Sequence, residues 1–430
     1  MQFTLTLEME KILMDNHKKT NHNNEIPANT KSLVETNMYY HVGEPKVSTP
    51  PKKIDPNRPI IVDLFCGLGG LSLGFEMAGF QTVLGVDIHK PSLETFRHSH
   101  PTAIAILGDI SKIVSIENGE NQNLITKELK KCIGDRKVDV LMAGIPCQGF
   151  SLSNRKRDAL DERNYLFLYF IKMVELLKPK FILLENVSGI RSMKNGHFVS
   201  AIEECIKNID GLYANVTHDL LNAADFGVPQ LRKRVIFLAS LPKYNVTWPK
   251  GSFNGKTIQY NSVGDAISDL PSLQAGEEFH NYLRKNELLD YQKLMRGKCV
   301  KLKNHKSPKH PHATIKKIKD TIPGEPIYPK YKQRIRLHLK QPSPTQVSGG
   351  IRPQYQFGHP KDDRGLTVRE RCRIQSIPDW VEIYGGTVQG RVQTGNAVPP
   401  LLAKAVAQNV YFECMKEIFV PINHGWEIVI

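Results

Sequence analysis

The sequence contains no C-x-x-C pair. Its seven cysteines, at positions 66, 132, 147, 205, 299, 372 and 414, are scattered and odd in number. Neither a zinc ribbon nor a disulfide framework is therefore expected, and such a set suits a reducing compartment. The sequence also shows no signal-type apolar core and no apolar run long enough to cross a bilayer. These absences lead to the expectation of a cytoplasmic protein with no metal and no membrane contact. Net charge is scarce too, except in one block. The formal charge is +15, yet residues 281–340 hold seventeen Lys/Arg against four acids, a net +13, which leaves +2 for all the rest. A charge run is most often a solvated face. Here His305, His310, His312, Tyr328 and Tyr331 interleave with the basic residues. Concentration of nearly the whole excess in one block favours a polyanion-binding surface, with nucleic acid the first choice.

What is present reads as an ordered chain of elements. A length of 430 residues allows two or three domains. Residues 1–58 are polar and nearly balanced in charge, and read as a mostly disordered or loosely attached extension with one short helix near Thr4–Met14. From Pro59 the pattern changes. "IIVDLF" reads as a strand, "LSLGFEMAGF" as a helix, "TVLGVD" as a strand and "PSLETFRHSH" as a helix. Further strands are "VDVLMAG" (138–144), "KFILLE" (180–185) and "RVIFLAS" (234–240). A helix over Tyr165–Leu177 is predicted to place Leu166, Phe170, Val174 and Leu177 on one face. This alternation predicts an α/β, doubly wound, mostly parallel sheet over residues 59–240, with ligands at the carboxyl ends of its strands. Residues 241–344 break the alternation and read as a smaller domain of irregular β and loop structure. The segment 345–430 then returns with "TVRERCRIQSIPDW", a helix opened by a Thr367/Glu370 capping box, and with a final helix, "NAVPPLLAKAVAQNVYFECM".

Several short stretches bear on chemistry. "AGIPCQGFS" (143–151) sets Cys147 behind a proline at a strand's carboxyl end, although a free cysteine is usually just a small buried hydrophobe. "DLFCGLGGLSLG" (63–74) is a glycine-rich strand-to-helix turn, where backbone N–H groups approach a ligand closely. It lacks the last glycine of G-x-G-x-x-G, so it is not the dinucleotide fingerprint. Asp87 closes the next strand twenty residues after Gly67, and Asp109 closes a possible third. Either acid alone reads equally as a helix cap. With the glycine turn they point to an adenosine-containing cofactor that has no pyrophosphate. Glu185 ends a strand whose tip faces the same crevice as Cys147, where it is a helix cap, an ion-pair partner or a reacting group. In "PQLRKRVIFL", Gln230, Arg232 and Arg234 read by themselves as an exposed charged strand edge.

As an ordered set, "DLFCGLGG", "VD", "GD", "PCQGFS", "ENV", "QLRKR", "RGLTVRERCRIQSIPD" and "QTGNAVPPLLA" closely resemble the DNA (cytosine-5) methyltransferases of bacterial restriction–modification type. The likeness spans about 59–240 and 345–415. The resemblance implies the S-adenosylmethionine-dependent methyltransferase fold, with Cys147 as the nucleophile that adds to cytosine C6. Glu185 would bind the N3/N4 edge, while Arg232 and Arg234 would hold O2 and keep the thiolate ionised. The resemblance further implies that Phe65, Gly67, Leu68, Gly69, Gly70, Asp87, Ile88, Asp109, Ile110, Asn396 and Val398 hold S-adenosylmethionine, which leaves as S-adenosylhomocysteine. A loop with Gln148, Ser151, Ser153 and Arg155 would close over a flipped base, with Gln230 nearby on the DNA. The 241–344 block would be a target-recognition domain, Lys316 and Lys317 contacting phosphates and Arg334 and Arg336 reading guanine edges. The implied partner is double-stranded DNA with a short specific site, shared with a cognate restriction endonuclease that need not bind. A monomer acting in the bacterial cytoplasm at the nucleoid is expected. Two residues depart from the family pattern: Ile145 stands where most members have a second proline, and Cys66 where alanine or serine is commoner. Neither removes a reacting group. A tRNA substrate is disfavoured by the large basic insert and "PCQGFS". A DNA-binding regulator without catalysis is disfavoured by intact Cys147, Glu185 and the arginine pair, and a dinucleotide-dependent dehydrogenase by the broken glycine pattern.

Overall fold

The apolar runs that begin at Ile60 become the middle of an eight-stranded sheet. The structure, a computed structural model, describes residues 38–41, 43–114, 123–145, 166–283, 287–348, 356–416, 419–422 and 425–428. The helix expected near Thr4–Met14 lies outside the described residues. The strands are β1 (Lys46–Ser48), β2 (Ile60–Leu64), β3 (Gln81–Asp87), β4 (Ile104–Leu107), β5 (Val140–Gly144), β6 (Phe181–Val187) and β7 (Asn215–Asn222). After them come the short β8 (Gln230–Leu231), β9 (Lys233–Ser240) and β10 (Ser343–Pro344). The main sheet runs β1-β4-β3-β2-β5-β6-β9-β7. Strands β2 to β6 are parallel, β1 pairs antiparallel with β4, and β9 pairs antiparallel with both β6 and β7. The order reverses direction between β2 and β5. In an open α/β sheet such a switch point opens a crevice at the carboxyl ends of the strands.

Side-chain alternation sends the apolar residues into two layers. Ile60, Val62, Leu64, Leu141 and Ala143 join the core on one face; Ile61, Val140 and Met142 join the core on the other. The second face is covered by α1 (Gly70–Met77), and the others along the chain are α2 (Lys90–Ser99), α3 (Leu124–Ile133), α4 (Leu166–Leu177) and α5 (His197–Lys207). The basic segment holds α6 (Val263–Ile267), α7 (Asp290–Arg296) and α8 (His312–Asp320), and the return holds α9 (Val368–Ile374), α10 (Gly386–Asn396) and α11 (Pro400–Met415). The last helix, α11, lies directly against α1. A Cβ on Gly74 would stand 2.4 Å from the Ala403 Cβ and 2.5 Å from the Pro400 carbonyl, so only glycine allows this approach. Among the described residues no helix is long and apolar enough to cross a membrane.

The structure differs from several sequence expectations. The face of α4 is turned: Phe167, Phe170, Met173 and Val174 are buried, while Leu166 and Leu177 are only half-buried. An all-round apolar helix leaves its phase to the packing partner. The final helix begins at Pro400 because Pro399–Pro400 cannot lie inside a helix, and residues from Asn396 back to Gly386 form a separate one. The described part of the 1–58 extension is packed: β1 covers the open edge of β4, and the Gln81 side chain accepts a hydrogen bond from the Asp55 N–H. Among the described residues between 241 and 344 the only strand is the two-residue β10; the rest is loop with three short helices. Its apolar cluster is shared with the return, since Val263, Met295 and Leu337 pack with Phe357, Leu366 and Ile374. A C-terminal hairpin, Phe419–Ile422 with Gly425–Ile428, was also unexpected.

Helix α9 does open on the expected capping box, with the Thr367 side chain accepting from the Glu370 N–H and Glu370 from the Thr367 N–H. The arginines in and just before this helix lie inside the protein. Arg364, Arg369 and Arg373 are fully buried. Arg373 donates to Asp379 (2.6 Å from both Nε and NH2) and to Asp269 (3.1 and 3.2 Å), and so ties the basic segment to the return. Arg364 donates to both oxygens of Glu370, at 2.9 and 2.7 Å.

Candidate active site

The crevice at the β2/β5 switch point is built from strand ends. Directly after β2 the chain turns through Phe65 (φ 59°), Gly67 (φ 56°) and Gly69 (φ 92°), and Gly69 caps α1. Nothing lies within 4 Å of where a Gly67 side chain would be, so this backbone faces open space. Under Gly69 the His100 ring comes so close that a Cβ there would stand 2.2 Å from its Nε2. At the tip of β3, Asp87 accepts from the Gly67 N–H and from the His89 N–H, both at 2.7 Å. Burial raises its pKa, opposed by these backbone donors. Asp109, after β4, caps the turn Ile110–Ile113 by accepting from the Ser111 N–H at 2.9 Å. The first glycine of α1, Gly70, sits against the Val398 carbonyl, and Asn396 is exposed at the end of α10. Phe65 and Ile88 are half-buried at the same strand ends. Leu68 and Ile110 point into the core, so only their backbones remain for a ligand.

One buried acid of this region went unremarked in the sequence. Asp63, in β2, accepts from the Ser72 hydroxyl at 2.7 Å, while its other oxygen has no partner among the described residues. Burial pushes its carboxyl up to about 7, against the opposing effect of the Ser72 hydrogen bond.

The second half of the site stands at the ends of β5, β6 and β9. Parallel pairing sets Gly144 opposite Glu185. Antiparallel pairing brings the start of β9 to the tip of β6, with Arg234 opposite Val187. The Arg234 Nε lies 2.7 Å from Glu185 Oε1, and both side chains are about nine-tenths buried. Burial lowers the Arg234 pKa and Glu185 counters it. The other Glu185 oxygen lies over Gly144; a Cβ there would be 3.6 Å away, in ordinary contact. Ile145, buried, ends the described run. Cys147, Gln148, Ser151, Ser153 and Arg155 lie outside the described residues.

Arg232 is in a different position from Arg234. It is 1% exposed and donates to the Gln346 carbonyl (2.8 Å) and the Gly395 carbonyl (2.9 Å), while its Nε has no partner among the described residues. Burial, and then the neighbouring Arg234, hold its pKa well below the ordinary guanidinium range. It thus fastens β9 to the return.

Two residues expected on DNA are engaged inside the protein instead. Gln230 is fully buried; its amide donates to Gln375 Oε1 (2.6 Å) and accepts from the Gln346 N–H (2.8 Å). Arg336, 7% exposed, caps the end of α8 by donating to the Ile318, Lys319 and Thr321 carbonyls. A planar fork with five donors suits a helix C-terminus as well as a guanine edge, so the residue type alone did not separate the two. Lys316 and Lys317 are exposed on α8, with the Lys317 ammonium 5.0 Å from the Tyr328 ring centre. Arg334 is half-buried over Tyr331, at 4.8 Å.

The family profile of the C-5 cytosine-specific DNA methylases matches residues 60–411. The chain is similar to the type II methyltransferase M1.HphI of Haemophilus parahaemolyticus, at 36% identity over 353 residues, covering 81% of this chain and 86% of the relative. It is also similar to the type II methyltransferase M.DdeI of Desulfomicrobium norvegicum, at 33% identity over 388 residues, covering 82% and 89%. In fold it resembles a prophage-encoded DNA modification methyltransferase from E. coli, with TM-score 0.67 at 24% identity, covering 83% of this chain and 99% of that one. A match over this span, beside relatives of this identity, makes the chain a member of the C-5 cytosine-specific DNA methylase family and a DNA (cytosine-5)-methyltransferase.

Proposed function

We propose that the protein methylates C5 of a cytosine in a short specific site of double-stranded DNA, using S-adenosylmethionine, base flipping and covalent catalysis by Cys147. The observation that carries this reading is the Glu185–Arg234 pair, held at 2.7 Å over Gly144, three residues before Cys147. Cytosine C5 is a poor nucleophile. Addition of the Cys147 thiolate forms an S–C6 bond and moves the ring electrons towards C5 and N3. Glu185, at the N3/N4 edge, favours protonation at N3 and so offsets the developing charge. Arg234 holds that carboxylate in place and offers donors to O2. After methyl transfer the C5 proton passes to water, its bonding electrons form the C5–C6 double bond, and the S–C6 bond breaks to release the thiolate. Extruding the base from the duplex costs a few kcal/mol, and the 146–165 segment has the polar, basic composition of a loop that closes over it.

The crevice fits S-adenosylmethionine. The open Gly67 backbone leaves room for close approach, Asp87 stands where ribose hydroxyls would be bound, and Phe65 and Ile88 offer apolar walls. When bound, this cofactor supplies an electrophilic methyl group. Asp87→Ala should therefore raise the KM for S-adenosylmethionine about tenfold or more and leave the KM for DNA nearly unchanged. Equal rises in steady-state kinetics would assign Asp87 to folding of the Gly67 turn alone.

The 241–344 segment is the proposed target-recognition region, on the strength of the +13 block and of exposed Lys316 and Lys317. Binding to DNA should fall with salt by about 0.9 log units per phosphate contact per decade. Lys316→Ala or Lys317→Ala should lower that slope by about one and weaken all sequences alike, measured by anisotropy titrations over a range of salt. An unchanged slope in both variants would remove α8 from the phosphate surface.

The type II names of the relatives support a protective role beside a restriction endonuclease cutting the same site. Bisulfite sequencing of DNA from cells expressing the protein tests the whole reading. One short motif should resist conversion at a single cytosine; full conversion everywhere would overturn it.

A further inference from the structure

The match to the family begins at residue 60, yet the chain before it is built into the crevice. Strand β1 pairs with the edge of β4, Lys46 opposite Leu107. Pro45 then lies against Gly108, where a Cβ would stand 3.2 Å from the proline ring. Preceding residues continue past the edge of the sheet to the tip of β3. There the His41 N–H donates to the Ile88 carbonyl (3.0 Å), the Lys90 N–H donates to the Tyr39 carbonyl (2.9 Å), and Tyr40 bridges His89. Covering the β4 edge needs only β1. Residues 38–41 make a second attachment, at the three residues that follow Asp87, Ile88 to Lys90.

That attachment holds an aromatic side chain beside the crevice. The Tyr40 ring centre lies 5.2 Å from that of His89, and the residue is 38% exposed. His89 is itself locked, with one ring nitrogen 2.6 Å from the Ser92 hydroxyl and the other 2.9 Å from Gln389 Oε1. Tyr40 is near enough to Asp87 that this carboxylate, after burial, helps to raise the phenol's pKa. A large ring kept partly in water by a backbone clamp, next to a carboxylate at a strand tip, is the arrangement of a binding wall rather than of core packing.

We infer that Tyr40, from the segment before the family domain, forms a wall of the cofactor site and packs its ring on the adenosine part of S-adenosylmethionine. The inference rests on reading this crevice as the cofactor site. It makes the N-terminal strap part of the binding machinery and predicts that cofactor affinity depends on residues outside the family's shared region.

Two measurements on the full chain test this with S-adenosylhomocysteine as the probe. In calorimetric titration, Tyr40→Ala should bind it about tenfold more weakly than the wild type, while Tyr40→Phe stays within about twofold because the ring is retained. In the wild type, tetranitromethane should nitrate Tyr40, and saturating S-adenosylhomocysteine should protect it, as read by tandem mass spectrometry. The second measurement needs no variant to fold. Wild-type binding without protection, or equal affinity in Tyr40→Ala, overturns the inference and leaves the crevice reading intact. A loss in Tyr40→Phe as large as in Tyr40→Ala overturns the ring contact. No wild-type binding at all removes both readings together.

Discussion

Cys147→Ala should abolish methyl transfer, by at least about 10⁴-fold, while binding of cofactor and of specific DNA stays close to wild type. The reason is that no other group replaces the S–C6 bond, and without it C5 stays unreactive. Glu185 and Arg234 sit on strands of the sheet, so the alanine variant keeps them paired and keeps the proposed base-binding surface. A duplex with 5-fluorocytosine at the target position makes the test direct. Fluorine at C5 cannot leave as a proton does, so after methyl transfer the S–C6 bond cannot break. Wild type with S-adenosylmethionine should give an adduct stable to denaturant, and Cys147→Ala none. A wild type that methylates normal DNA yet forms no adduct would remove Cys147 from the mechanism.

Arg373→Ala should destabilise the fold by about 3–5 kcal/mol, the usual cost of removing one partner from a buried ionic group. Its guanidinium bridges Asp269 and Asp379, and all three side chains are fully buried. Removal would take from the buried Asp269 its guanidinium and leave the buried Asp379 with only Arg369, at 3.5 Å, and the Tyr282 hydroxyl, at 2.7 Å. Asp379 is pushed up by burial but held below the usual carboxylate range by Arg373 and Arg369. Stability from such a depressed group is present above the unfolded carboxylate pKa and is lost as pH falls. The difference between variant and wild type should therefore be largest near neutral pH and shrink on acidification. Urea titrations at a series of pH values measure both. A loss below about 1 kcal/mol at neutral pH would mean that the two carboxylates find other partners.

Those buried arginines also mark where the sequence stops being legible. Strands β2 and β5 were readable because a strand buried on both faces is a continuous apolar run, and the Thr367 capping box because its chemistry is local. Arg364, Arg369 and Arg373 carry no local mark that separates a buried arginine from a surface cation. Asp269 lies 104 residues from Arg373, and the nearer partners, Glu370 and Asp379, follow no spacing that marks a pair in the sequence. Gln230 and Arg336 were misplaced for the same reason, since both serve carbonyls and amides of distant segments. Glu185 and Arg234 were legible as candidates, but the antiparallel turn of β9 that joins them was not, because an apolar strand does not declare its direction. The strap at residues 38–41 carried no signal beyond two adjacent tyrosines.

The contact between Gly74 and Ala403 has a consequence for synthesis. The ribosome finishes the first strand and helix of the sheet early, but the helix that covers them is among the last segments made. At about 5–20 residues per second, the chain between them takes about 20–60 s to translate. Until then one face of β2 and α1 is bare, and the Val398 carbonyl that borders the Gly70 turn is missing. A nascent chain therefore cannot complete its crevice, and modification of DNA waits for the whole polypeptide to leave the ribosome.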